Sequence, residues 1–148
     1  MNVQAAIACV FAYLLVSMID NYMAWQTCVR PIVVGPLVGL LLGDLNTGIV
    51  MGASLEAVFM GISAIGGVVA TDALTGTILS IAYVILVGGD SAVDAGMTLA
   101  MTAGVLMNSF DNMMKPVWSM MAPFWENMAA EANPKKFRIW NLCFAPVR

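Results

Sequence analysis

Residues 30–77 read RPIVVGPLVGLLLGDLNTGIVMGASLEAVFMGISAIGGVVATDALTGT, with charge only at Arg30, Asp44, Glu56 and Asp72. The first part, from Pro31 to Gly43, is apolar but short. A hydrocarbon layer about 30 Å thick needs roughly 20 apolar residues in a helix, and a run of about 10–14 more often marks a re-entrant or buried segment. Gly35, Pro36, Gly39 and Gly43 break or thin this run further. Irregular backbone at membrane depth persists only inside protein or beside a watery cavity. The row Gly35-xxx-Gly39-xxx-Gly43 reads as a small-residue face for tight helix contact, with no ligand required.

Asp44-Leu45-Asn46-Thr47 reads as a turn and cap, with Asn46 or Thr47 able to accept the first helical N–H bonds. An apolar run then extends from Gly48 to Ala70, interrupted only by Glu56. If its first part is helical, Gly48, Gly52 and Glu56 share one face. Glycine there lets a second backbone approach, and the same face presents a carboxylate. Acids at membrane depth cost a few kcal/mol and face a cavity or a partner, so Glu56 is a candidate ligand-site residue. A carboxylate accepts two hydroxyl hydrogen bonds at once, as sugar recognition demands. The competing readings of Glu56 are a protonated acid or a bond to a neighbouring helix. Asp72 precedes the uncharged run Ala73–Gly89, where Asp is an ordinary N-cap. The alternative for Asp72 is a half-helix start aimed at a binding site.

Outward from this stretch, the chain keeps the same character. It has 148 residues, 61% hydrophobic and 10% charged, and a mean hydropathy of +0.88. Soluble domains average about 25% charged residues, and one this apolar could not hide its surface from water. Met1–Ile19 holds no charge and lacks the basic front and cleavage site of a secretory leader, so it reads as a retained first membrane helix. Asp20, Asn21, Tyr22 and Trp25 suit its polar end. Gly88-Gly89-Asp90 ends the run after Asp72, and Ala95–Phe110 forms another, closed by Asp111 and Lys115. In Pro116–Glu131, Trp118, Met121, Trp125 and Met128 recur at helical spacing. That pattern fits an amphipathic helix in the membrane interface and equally a helix packed on a partner. Lys135–Arg138 places three basic residues in one loop, which biases it to the cytoplasmic side.

Several chemistries are excluded. Histidine is absent, which removes the commonest acid–base group and metal ligand. Cys9, Cys28 and Cys143 lie far apart, so no metal site or disulfide framework is indicated. No cofactor is expected. No nucleophile–base set and no phosphate-cradling loop followed by Lys-Ser or Lys-Thr is present. Six basic residues without interleaved aromatics give no support for nucleic-acid binding. The reading is an all-α polytopic membrane protein, with spanning helices and short re-entrant or broken ones, first a transporter or channel component.

The Arg30–Pro31 start, the run LVGLLLGDLNTGIVMGASLE and the later GGVVATDA closely resemble the IIC membrane subunits of the mannose/fructose/sorbose family of the bacterial phosphotransferase system. In residue choice they look most like the N-acetylgalactosamine branch. The resemblance implies a sugar permease of the inner membrane, not itself an enzyme. It implies a IID membrane partner, cytoplasmic IIA and IIB phosphocarriers, and an oligomer. By the same match Glu56, and after it Asp72, would be sugar-site acids. Family members are longer, with a second, related group of membrane segments. The chain would be the N-terminal half of such an inverted repeat, incomplete at its C-terminus. A nonfunctional remnant and a membrane scaffold therefore stand beside the permease reading.

Overall fold

The computed structural model describes residues 3–23, 26–61 and 71–120, together with 122, 123 and 126. All regular structure among them is helical: α1 (Val3–Met23), a short 3-10 turn (Gln26–Val29), α2 (Pro31–Leu42), α3 (Leu45–Phe59), α4 (Ala73–Val87) and α5 (Asp90–Ser119). Met1–Asn108 form one compact unit and Ser109–Arg148 a second. Of the second unit, the described part is chiefly the end of α5.

Helix α1 is long and apolar enough to cross a membrane over Val3–Asp20, as the uncharged run Met1–Ile19 predicts. One side packs through Ala5, Ala12 and Val16. The other shows Val3, Ile7, Val10, Phe11, Leu14 and Met18. That outer stripe is tolerable where the surroundings are lipid tails, which are as apolar as the side chains.

Helices α2, α3 and α4 are shorter, at 12, 15 and 15 residues. At about 1.5 Å per residue they reach roughly 18–22 Å, less than the hydrocarbon thickness. Arg30 stands at the N-cap of α2 and Pro31 at its first position, where a missing N–H costs no bond. Gly43 ends α2 with φ +88, a left-handed conformation that glycine adopts without a Cβ clash. Asp44 then starts α3: its Oδ1 accepts from the Thr47 N–H at 3.1 Å and its Oδ2 from the Thr47 hydroxyl at 2.6 Å. The cap is thus Asp44. Asn46 and Thr47 lie inside the first turn, where Thr47 donates to the cap.

The hairpin α2–α3 closes backbone to backbone. A methyl group placed on Gly35 would lie 2.6 Å from the Gly48 carbonyl oxygen and 2.7 Å from the Gly52 Cα. One on Gly39 would lie 2.8 Å from the Asp44 carbonyl oxygen. Reciprocally, Gly48 faces Gly35 and Gly39, and Gly52 faces Pro31 and Gly35. The expected small-residue face is therefore real at Gly35 and Gly39. Gly43 does not share it; nothing lies within 4 Å of its Cβ position.

A second antiparallel pair repeats the device. Asp72, Gly76 and Ser80 on α4 lie opposite Gly104, Ala100 and Gly96 on α5. The Asp72 N–H donates to the Gly104 carbonyl at 3.0 Å, a Gly76 methyl would strike the Ala100 carbonyl, and the buried Ser80 hydroxyl donates to the Gly96 carbonyl at 2.7 Å. Gly88 and Gly89, at φ +69 and +91, make the turn. The core between these pairs holds Val34, Val38, Met51, Leu55, Phe59, Leu74, Ile78 and Ile81.

Helix α5 begins at Asp90 and runs unbroken past Asp111 and Lys115 to Ser119. The sequence places a boundary there. Pro116 removes only one intrahelical bond, close to the helix end, and the good helix formers Met113, Met114 and Lys115 precede it. The Ser119 hydroxyl and Met120 N–H both bond back to the Pro116 carbonyl, closing the last turn. The start of the expected interfacial segment is thus part of α5. Met121, Trp125 and Met128, like Trp25 and the Lys135–Arg138 loop, lie outside the described residues.

Gly35→Ala and Gly48→Ala should each lower stability by about 1–3 kcal/mol, because the added methyl meets backbone that cannot yield. Gly61→Ala, with its nearest atom 3.9 Å away, should change stability little. Thermal unfolding in detergent micelles, read by near-ultraviolet circular dichroism, checks both.

Candidate functional site

Glu56 sits in the next-to-last turn of α3, on the face that carries Gly48 and Gly52. Because α2 runs antiparallel, that face brings the carboxylate to the start of α2. The Glu56 Oε1 accepts from the Arg30 guanidinium at 3.2 Å, and Oε2 accepts a longer bond of 3.4 Å from the Ile32 N–H. The side chain of Glu56 is 16% exposed and that of Arg30 55%. An amide at a helix start is unpaired within its own helix, and the helix dipole there favours an anion.

Magnitudes separate the possible roles of this pair. With so exposed a guanidinium, the pair adds at most about 1 kcal/mol to stability. A carboxylate left alone within an apolar layer costs about 2.5–3.5 kcal/mol. Arg30 therefore offsets the cost of placing an acid there more than it tightens the hairpin. Of the three sequence readings of Glu56, a bond to a neighbouring helix is the one this geometry displays. Each oxygen keeps a lone pair free for a further donor.

Asp72 is the N-cap of α4. Its Oδ1 accepts from the Leu74 N–H at 3.1 Å, and Oδ2 accepts a short bond from the Thr75 hydroxyl. The capping reading describes it fully. Asp44 and Asp72 use the same local motif, an Asp followed three residues on by a Thr that donates back to it.

The two candidate acids share one end of the bundle. The Phe59 ring, one turn beyond Glu56, lies beside Gly76, one turn beyond Asp72. Two further features escaped the sequence. Arg30 pairs with Glu56 across a separation of 26 residues, and only the antiparallel glycine contact reveals it. Thr71 and Thr77 carry buried hydroxyls with no hydrogen-bond partner. No sequence signal marks them; Thr77, inside α4, would ordinarily bond back to its own turn.

Short helices packed through glycine, one spanning helix, and carboxylates held at helix starts define a helical integral membrane protein with broken segments. The chain belongs to the family described as PTS system sorbose-specific IIC component, whose model matches residues 2–147. It is 35% identical over 107 residues to a provisionally named N-acetylgalactosamine permease IIC component 2 of Escherichia coli (strain K12), covering 72% of this chain and 77% of that protein. It is 39% identical over 71 residues to the mannose-specific EIIC component of the same strain, covering 48% of this chain and 26% of that one. In fold it is similar to a chain in the cryo-electron microscopy structure of the mannose transporter ManYZ in complex with microcin E492. The TM-score is 0.80 at 23% identity, over 99% of this chain and 57% of the other. The chain thus spans little more than half the length of that solved relative. Its named relatives are permease components, transporters rather than catalysts.

Asp72→Ala should lower stability by about 1 kcal/mol through loss of the cap, and Asp72→Asn should retain most of it. Thr77→Val should raise stability by about 1 kcal/mol, because it removes a buried hydroxyl that has no partner and keeps the shape. Unfolding midpoints in detergent read out all three.

Proposed function

We propose that this chain is the sugar-translocating IIC component of a phosphoenolpyruvate-dependent phosphotransferase system, taking N-acetylgalactosamine or a related amino sugar. Its place is the bacterial inner membrane, crossed several times. Glu56 is a sugar-site acid, accepting bonds from sugar hydroxyls through its free lone pairs, and Asp72 is a second acid at the same end of the bundle. The single observation that carries this reading is a carboxylate at the base of a glycine-packed hairpin too short to span, in a chain of this family.

A IID membrane subunit and separate IIA and IIB phosphocarriers complete the system. The solved mannose transporter is a complex of two named components, which supports a membrane partner here. The chain has no histidine to carry phosphate itself, so phosphoryl transfer belongs to the phosphocarriers. The spacing of Trp and Met in Pro116–Glu131 suits a membrane interface and equally a partner helix.

The test is uptake and phosphorylation of labelled N-acetylgalactosamine, galactosamine and mannose. Cells lacking their own related permeases would carry the IIA, IIB and IID partners with or without this chain. Uptake of N-acetylgalactosamine should require the chain and should fall at least about tenfold in Glu56→Gln, the loss of a charge-assisted bond. Uptake that is unchanged without the chain refutes the proposal.

A further inference from the structure

Glu56 caps a helix that is not its own. Ile32 is the second residue of α2, and an N-cap side chain ordinarily takes the N–H at that position. The N-cap here is Arg30, which has donors but no acceptor and makes no capping bond. The acceptor comes from α3 instead. Glu56 Oε2 takes the Ile32 N–H at 3.4 Å, and Oε1 takes the Arg30 guanidinium at 3.2 Å. The backbone bond is long, and by itself it would leave the carboxylate free to turn. Two partners on two different oxygens fix its plane. Among the described residues, the Arg30 side chain has no second polar partner. It is too exposed for the pair to add much stability. An arginine that neither caps its own helix nor tightens the fold is left with one local effect, the orientation of Glu56.

We infer that Arg30 is a positioning residue of the sugar site: together with the Ile32 N–H it holds the Glu56 carboxylate in one orientation, ready for sugar hydroxyls. The inference rests on the reading of Glu56 as a sugar-site acid. A glutamate side chain that is free to rotate must be ordered when a ligand binds, and that loss weakens binding. With both oxygens already held, the ordering is completed on folding. Each oxygen then presents its remaining lone pair in a fixed direction, as a fork of two acceptors for two hydroxyl donors. Arg30 acts on the carboxylate and not on the sugar, so the effect is the same for every sugar that uses Glu56.

The experiment measures binding of labelled N-acetylgalactosamine and labelled mannose to membranes that carry the full chain with its membrane partner. Unfolding midpoints in detergent are read alongside. Arg30→Met keeps an unbranched apolar stem and removes the donor. It should weaken each bound sugar by the same factor, about fivefold, the scale of ordering one flexible side chain, with the midpoint close to wild type. Arg30→Lys keeps a charged donor and should stay within about twofold of wild type. In a Glu56→Ala background no carboxylate remains to be held, so adding Arg30→Met should change affinity by less than about twofold. A merely structural pair predicts a lowered midpoint with unchanged affinity. A direct contact between Arg30 and sugar predicts the same fivefold loss with or without Glu56. Either result overturns the inference. If Arg30→Met does not accumulate, or Glu56→Ala binds too weakly to follow, Arg30→Lys decides: a loss of about fivefold or more overturns the inference, and affinity within about twofold supports it. Glu56→Gln separates the two levels of the proposal. Unchanged binding in that variant, or no binding of either sugar by the wild type, removes the sugar site itself. Lost binding in Glu56→Gln, with wild-type affinity in Arg30→Met, removes only the role of Arg30.

Discussion

Gly35 and Gly39 meet Gly48 and Gly52 so closely that even a methyl group on any of them would strike the facing backbone. Among lipid tails there is no hydrophobic drive to bring apolar helices together, so close packing and polar bonds have to hold them. Removing the side chains from both faces lets two peptide backbones touch along their length, where many small dispersion contacts add up. The same approach sets Cα–H groups against facing carbonyl oxygens, a weak but recurrent attraction. Everything at the base of the hairpin depends on this contact. It brings the start of α2 to the last turns of α3, and so Arg30 to Glu56.

The second pair of helices shows that the device is general in this chain. Gly76 and Ser80 on α4 lie opposite Ala100 and Gly96 on α5, again in four-residue steps, and the turn again uses glycine at positive φ. Here one bond reinforces the contact, from a buried serine hydroxyl to a carbonyl on the other helix. The two hairpins pack so that their open ends coincide, as the Phe59–Gly76 contact shows. That packing sets Glu56 and Asp72 at one shared end, while the middle of the bundle stays apolar around Met51, Leu55 and Ile81.

The electrostatics follow from this layout. Three described acids sit at or against a helix start: Asp44 on α3, Asp72 on α4, and Glu56 on the first amides of α2. Unpaired amides and the positive end of the dipole make those the least costly places for a negative charge in apolar surroundings. Asp44 and Asp72 spend both oxygens on their own turn. Glu56 alone reaches across to another helix and to a mobile-stemmed cation. Of these three, Glu56 is the acid whose bonds go to another helix and not to its own turn.

Much of this was legible in the sequence. The uncharged first helix, the shortness of Pro31–Leu42, the glycine spacing and the cap at Asp72 are consequences of local composition and period, and each appears in the fold. The neighbourhood of Glu56 was not. Helical period shows that Gly48, Gly52 and Glu56 share a face, but not which residues lie across from it. Nor does the sequence show that Asp44 rather than Asn46 or Thr47 caps α3, that Gly43 leaves the packing face to make the turn, or that α5 continues through Pro116. Those outcomes depend on how two helices register against each other and on whether one lost backbone bond is outweighed by its neighbours. Local pattern determined the elements and their small-residue faces. Tertiary packing alone decided that Arg30 answers Glu56, because residues 26 apart meet only when the glycines between them let two backbones touch.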